Sequence, residues 1–218
     1  MVDDVGFRLL DDLERFVTGL AASRMKGMVN PYATADEVPD LDRPGAAAIR
    51  AANLLDYLRS RQKPQLLLVG EAPGYRGCRF SGVPFTSERC LPRNRRSSLR
   101  TDGWLEPSAT VVHRSLARLG LEAETLLWNV VPWHPVDGGP LTNRAPRAAE
   151  LRAGMVWLAR LLALVSPGRV IPVGRTASRM LPGTPQVPHP SHGGAGRFDS
   201  ELQALSSAVR HRRRQQGA

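Results

Sequence analysis

A chain of 218 residues, 42% of them hydrophobic, has room for a full core and reads most simply as one domain. Its net charge of +10 is almost all arginine, with Lys26 and Lys63 the only lysines. No stretch is long and apolar enough to span a bilayer, and Met1-Val2-Asp3-Asp4 lacks the basic start of a signal peptide, so a cytoplasmic protein with no membrane partner is expected.

The arginine excess points to a polyanion, nucleic acid first, because the guanidinium fork donates two parallel hydrogen bonds to phosphate. GC-rich coding gives the same composition, so composition alone leaves the two explanations balanced. Cys78 and Cys90, the only cysteines, read as free thiols. A metal cluster needs more soft ligands than these two, so no metal or organic cofactor is expected.

In chain order, the apolar spacing of Leu9, Leu10, Leu13, Phe16, Val17 and Leu20 predicts an amphipathic helix from Val5 to Leu20. Residues 25–44 lose periodicity and read as loop. A second helix is predicted from Pro44 to Arg61, with Ile49, Ala52, Leu55 and Leu58 on one stripe. Leu66-Leu67-Leu68-Val69 is a buried strand running into the glycine- and proline-rich loop Gly70-Glu71-Ala72-Pro73-Gly74. Residues Arg89 to Thr101 carry Arg93, Arg95 and Arg96 without an apolar face. They read as an exposed basic loop, either a solvated surface or a set of phosphate contacts.

A helix over Ser108–Leu119, capped by Ser108, precedes a second strand, Leu126 to Val131. A long helix over Pro146–Leu164, a third strand at Arg169–Gly174 and a short helix at Thr176–Leu181 follow. After the polar loop Val187 to Gly194 come a last helix over Asp199–Arg210 and a basic, frayed tail. Alternating strands and helices imply an α/β protein, a three-layer α/β/α sandwich around a mostly parallel sheet. The expected parts are a helical 1–63, a core 64–205 and a tail 206–218, with no repeat and no linker.

Loops 70–88, 129–135 and 187–194 each follow a strand or short element. If the strands are parallel, all three lie at one edge of the sheet, where α/β folds place ligands. Gly70-Glu71-Ala72-Pro73-Gly74 with Pro84-Phe85 downstream, Leu127-Trp128-Asn129, and His189-Pro190-Ser191 stand there in this order. In order and spacing these resemble the motifs of the uracil-DNA glycosylase superfamily, over about residues 64 to 205. The first motif is most similar to family 4, and Ser81-Gly82-Val83-Pro84-Phe85-Thr86-Ser87-Glu88 to family 5. Two departures stand out. The chain lacks the cysteines for the four-iron cluster those families carry. It also has Ala72 where many members hold the attacking water with Asp or Asn.

The resemblance implies a monofunctional DNA glycosylase of base excision repair, acting as a monomer on single- or double-stranded DNA, with uracil the default base. A base inside a duplex is out of reach, so it must be flipped into a pocket. Gly70, Ala72, Pro73 and Gly74 would form the pocket wall, and Phe85 would stack on the ring. Asn129 offers a donor and an acceptor in one plane, matching the N3–H and O4 edge of uracil. His189 would stabilise negative charge on the departing O2. Of the two acids Glu71 and Glu88, one would orient water and offset charge on the sugar and the other would be structural, with the balance slightly toward Glu71. Ser191, Gly193 and Arg197 would touch the DNA backbone, with Arg197 or Phe198 as the wedge that fills the gap. His134 either lines the pocket or packs, and His192 is equally open. His113 and His211 carry no functional expectation. Two rivals remain: a weakly active or covalent DNA-binding member, favoured by Ala72, and an enzyme acting on a small N-glycoside.

Overall fold

A computed structural model describes residues 3–191 and 193–216, with side chains described for 8–191 and 193–206. Seven α-helices and five short strands alternate along the described residues. The centre is a parallel sheet of β2 (Leu66–Gly70), flanked by β3 (Thr125–Asn129) and β5 (Arg169–Pro172). Leu66 stands opposite Thr125 and Arg169, and the register ends with Gly70 opposite Asn129. Beyond β5, Val187 adds a parallel bridge to Val173, which brings the 187–194 loop to the same edge.

Strand alternation splits the core into two layers of side chains. Leu67, Val69, Leu126 and Trp128 face one cluster. There they meet α1 (Asp3–Ala22), α2 (Ala46–Arg59) and α5 (Ala148–Val165) through Leu13, Phe16, Leu54, Leu58, Trp157 and Leu161. Leu66, Leu68, Leu127 and Ile171 face the other. It is closed by Val112 and Leu116 of α4 (Pro107–Arg118) and by Phe198 and Leu202 of α7 (Ala195–Gln216). The three-layer α/β/α arrangement is therefore as the sequence implies.

Several boundaries move for local reasons. Helix α2 begins after Gly45, whose φ of 75° is left-handed, so Pro44 lies before the helix rather than in its first turn. Helix α4 takes Pro107 in its first turn and Glu106 as the residue before it. The Ser108 hydroxyl therefore donates to Glu106 Oε1, at 2.9 Å, and does not cap the helix. The stretch expected as loop holds β1 (Met28–Val29), which pairs antiparallel with β4 (His134–Pro135). Helix α7 starts four residues early and continues to Gln216, through the segment expected to fray. The short helices α3 (Cys78–Ser81) and α6 (Arg175–Met180) complete the set.

Candidate active site

The strand ends and the Val187 bridge surround a cavity of about 590 Å³, a size that holds one base or nucleoside-sized group. Glu71, Ala72, Pro73, Gly74, Phe85, Asn129, His189 and Ser191 all line it, so the three loops do converge.

The floor explains why the first motif begins with glycine. A Cβ on Gly70 would lie 2.4 Å from Phe85 Cζ and 2.6 Å from Asn129 Oδ1. The missing side chain makes room for those two groups, rather than for a ligand. Phe85 is held at φ 50°, a left-handed conformation rare for an aromatic residue. It is both a core residue and a cavity wall. Asn129 is 4% exposed, and its side-chain amide makes no hydrogen bond with any described residue. The amide is not among the enclosed polar atoms that lack a partner; it opens onto the cavity, within reach of a ligand there.

His189 stands at the rim, exposed. Its Nδ1 accepts the Ser191 backbone N–H at 3.2 Å and lies 2.7 Å from Ser191 Oγ. A backbone N–H only donates, so Nδ1 is the acceptor and the neutral ring carries its proton on Nε2. Gly174 and Gly194 pack against this residue: added Cβ atoms would come within 3.2 Å of His189 Cβ and 2.3 Å of its carbonyl.

The two acids of the sequence reading separate. Glu71 lines the cavity, and its carboxylate makes no hydrogen bond or ion pair among the described residues. Glu88 is fully buried elsewhere. Oε1 accepts the N–H groups of Ser97 and Ser98, each at 2.7 Å, and Oε2 accepts Ser98 Oγ at 2.5 Å and Trp104 N–H at 3.2 Å. Glu88 thus organises the basic loop and is not a candidate catalyst.

Three further expectations change. Arg96 is spent on the carbonyls of Leu91, Thr101 and Arg89, and Arg95 pairs with Asp56 at the surface. Of that trio only Arg93 remains without such a role; none of the three lines the cavity. Phe198 is fully buried and anchors α7, so it is not the wedge. Arg197, exposed, pairs loosely with Glu201 at 3.3 Å beside a shallow depression that includes His189, and Gly193 is exposed.

His134 lies fully buried beneath the rim, donating from Nδ1 to the Pro73 carbonyl at 2.7 Å. Burial pushes its pKa down to about 4, so it is neutral and braces the first motif. His113 is also held neutral by burial on α4. His192 lies outside the described residues, and the side chain of His211 does too. Cys78 and Cys90 are free thiols, and burial pushes Cys78 up to about 12.

Sequence reasoning missed two groups. Glu106 lines the cavity with its Oε2 beside Gly77, where a Cβ would sit 1.7 Å away. Protein surrounds this carboxyl, and desolvation raises its pKa against the Ser108 hydroxyl bond, which lowers it. Arg175 and Arg179, one turn apart on α6, are exposed on the cavity wall. The clue to both arginines was the strand–glycine–helix step at Gly174, which lies at the same edge as the three loops. Glu106 carried no local signal beyond standing ahead of Pro107.

Residues 59–212 match the Uracil DNA glycosylase superfamily. The chain belongs to this superfamily. No curated protein sequence matches it at a significant level. Among solved structures it is similar to wild-type Pedobacter heparinus SMUG2, at 13% identity and a TM-score of 0.64, covering 93% of this chain and 98% of that one. At that identity the likeness is one of fold. Superfamily membership supports a DNA glycosylase kind of function with DNA as partner. No helix of the described residues is long and apolar enough to cross a membrane.

Proposed function

We propose that the protein flips a damaged base, uracil first, out of DNA and hydrolyses its N-glycosidic bond, as a step of base excision repair. The observation that carries this reading is the Asn129 amide, at a strand end, without a hydrogen bond to any described residue, and facing a cavity walled by Phe85. An amide of this kind complements the N–H and C=O edge of uracil or of hypoxanthine. Phe85 supplies the stacking surface.

In the reaction the C1′–N bond breaks and its electron pair leaves with the base. His189 Nε2–H donates to the O2 on which that charge gathers, which stabilises the transition state more than the substrate. A water adds to C1′, and its proton passes to Glu71. The carboxylate also offsets positive charge on the sugar. Ala72 contributes no polar atom, but Glu71 and Glu106 both line the cavity, which favours hydrolysis over a weakly active or covalent reading. Arg175 and Arg179 are placed to meet phosphates at the rim.

A panel of oligonucleotides, each carrying one modified base and cleaved by alkali after treatment, tests the proposal. Strand breaks at uracil or another deaminated base are the expected outcome. A panel without breaks, together with turnover of a free nucleoside, overturns it in favour of a small N-glycoside enzyme.

A further inference from the structure

The cavity wall holds a carboxyl and an amide to which the proposed reaction gives no step, Glu106 and Asn143. Glu106 stands just ahead of α4, yet its side chain makes no capping bond to that helix. Its backbone is pinned instead, with the N–H donating to Ser87 Oγ at 2.9 Å. The side chain turns into space that two glycines leave open. A Cβ on Gly77 would lie 1.7 Å from Oε2, and one on Gly74 would lie 3.8 Å from Oε1 and 4.0 Å from Asn143 Oδ1. Both side chains therefore border Gly74.

The hydrogen bonds already made decide what each group can offer. Ser108 Oγ donates to Oε1 at 2.9 Å, so a proton on this carboxyl sits on Oε2. Oε2 has no hydrogen bond among the described residues and is not among the enclosed polar atoms that lack a partner; it opens onto the cavity. Glu106 forms no ion pair among the described residues, and desolvation outweighs the Ser108 bond in setting its proton affinity. The nearby Cys78 thiol, pushed up to about 12, supplies no positive charge. Asn143 is oriented by its own contact. Its Oδ1 accepts the Tyr75 N–H at 3.1 Å, and a backbone N–H meets only the oxygen of an amide, so the amide nitrogen is left to donate.

Uracil gives these two donors nothing to meet once Asn129 takes its N3–H and O4 edge and His189 takes O2, because its remaining carbons carry no polar atom. A 6-oxopurine shows Asn129 the same N–H and C=O edge and adds N7, a ring nitrogen that only accepts. We propose that Glu106 and Asn143 are specificity-determining residues: Glu106 Oε2–H, with the Asn143 N–H beside it, donates to N7 of a 6-oxopurine such as hypoxanthine. The inference rests on reading the cavity as the pocket of a flipped base, and it leaves water activation to Glu71. A site built to hydrogen-bond one polar group rejects the ligand that lacks it, since the donors are then left unpaired.

The test titrates the full chain with free hypoxanthine and with free uracil by calorimetry, and measures single-turnover excision of each base from an oligonucleotide. Glu106→Leu, checked for an unchanged unfolding midpoint, is expected to weaken hypoxanthine binding about ten-fold more than uracil binding, and to shift the two excision rates likewise. Glu106→Gln, which keeps the shape and a donor, is expected to hold the wild-type preference to within about three-fold. Asn143→Ala, an exposed change, is expected to move the preference in the same direction as Glu106→Leu by a smaller factor. Equal losses on both bases, a Gln variant as poor as the Leu variant, or a wild type that does not bind hypoxanthine overturns the proposal. Glu106-dependent hypoxanthine binding without excision of any base retains the proposal and sinks the glycosylase reading. Excision with a base preference unaltered in Glu106→Leu does the reverse.

Discussion

The segment 86–104 and the cavity floor are both rich in polar and special residues, yet they treat those residues in opposite ways. In the segment the buried acid is fully used: Glu88 takes four donors, and Arg96 closes on three carbonyls. On the floor, Gly70 yields its space to Phe85 and Asn129, and the Asn129 amide and the Glu71 carboxylate have no hydrogen-bond partner among the described residues. Polar groups that protein does not satisfy but that open onto a cavity are the ones a ligand can meet. Glu88, with four donors, is scaffolding, whereas Glu71 faces the cavity.

Swapping the two acids breaks this contrast if it is wrong. Glu88→Ala strands four donors, three of them in buried bonds, and is expected to lower stability by about 3–5 kcal/mol in denaturant unfolding. Glu71→Gln is expected to leave stability within about 0.5 kcal/mol and to slow base excision about 100-fold. Equal rate losses with equal stability in both would erase the distinction.

The brace under the floor gives a pH signature. His134 has a folded pKa of about 4, below its ordinary 6.5. Its contribution to stability is therefore present above pH 6.5 and is lost as pH falls through about 4. The wild type should lose up to about 3 kcal/mol across that window, read from unfolding midpoints, with a flatter profile in His134→Asn. A profile unchanged by that substitution would mean that burial of His134 is not what sets it.

Adding the missing Cβ probes the floor itself. Gly70→Ala pushes on Phe85 and Asn129 and is expected to cost about 1–3 kcal/mol, with excision falling further than stability explains. The smallest effect is at the rim. Arg175→Gln with Arg179→Gln should reduce the salt slope of DNA binding by about 2, whereas Arg95→Gln, whose guanidinium already has Asp56, should change it by under about one.

The sheet and the three converging loops were legible because buried parallel strands are short unbroken apolar runs, and Leu66 to Val69, Leu126 to Trp128 and Val170 to Ile171 all read that way. Asn129 and His189 were legible because each ends such a run or its neighbour. Glu88 was misread because nothing local distinguishes an acid serving backbone donors from one serving water; its partners lie nine to sixteen residues on, at Ser97, Ser98 and Trp104. Glu106 was missed for the same reason in reverse, since only folding brings it against Gly77. The β1–β4 pair was invisible because two-residue strands carry no period. Phe198, read as a wedge candidate, follows glycines in a loop-like sequence, but α7 already begins at Ala195 and turns it inward.

The most direct test of the central claim is a single-turnover excision assay on a uracil-containing oligonucleotide, comparing the wild type with Asn129→Ala and with His189→Ala, each checked for an unchanged unfolding midpoint. The expected result is cleavage by the wild type and a loss of about 100-fold or more in each variant. Cleavage at the wild-type rate by both variants would contradict the site.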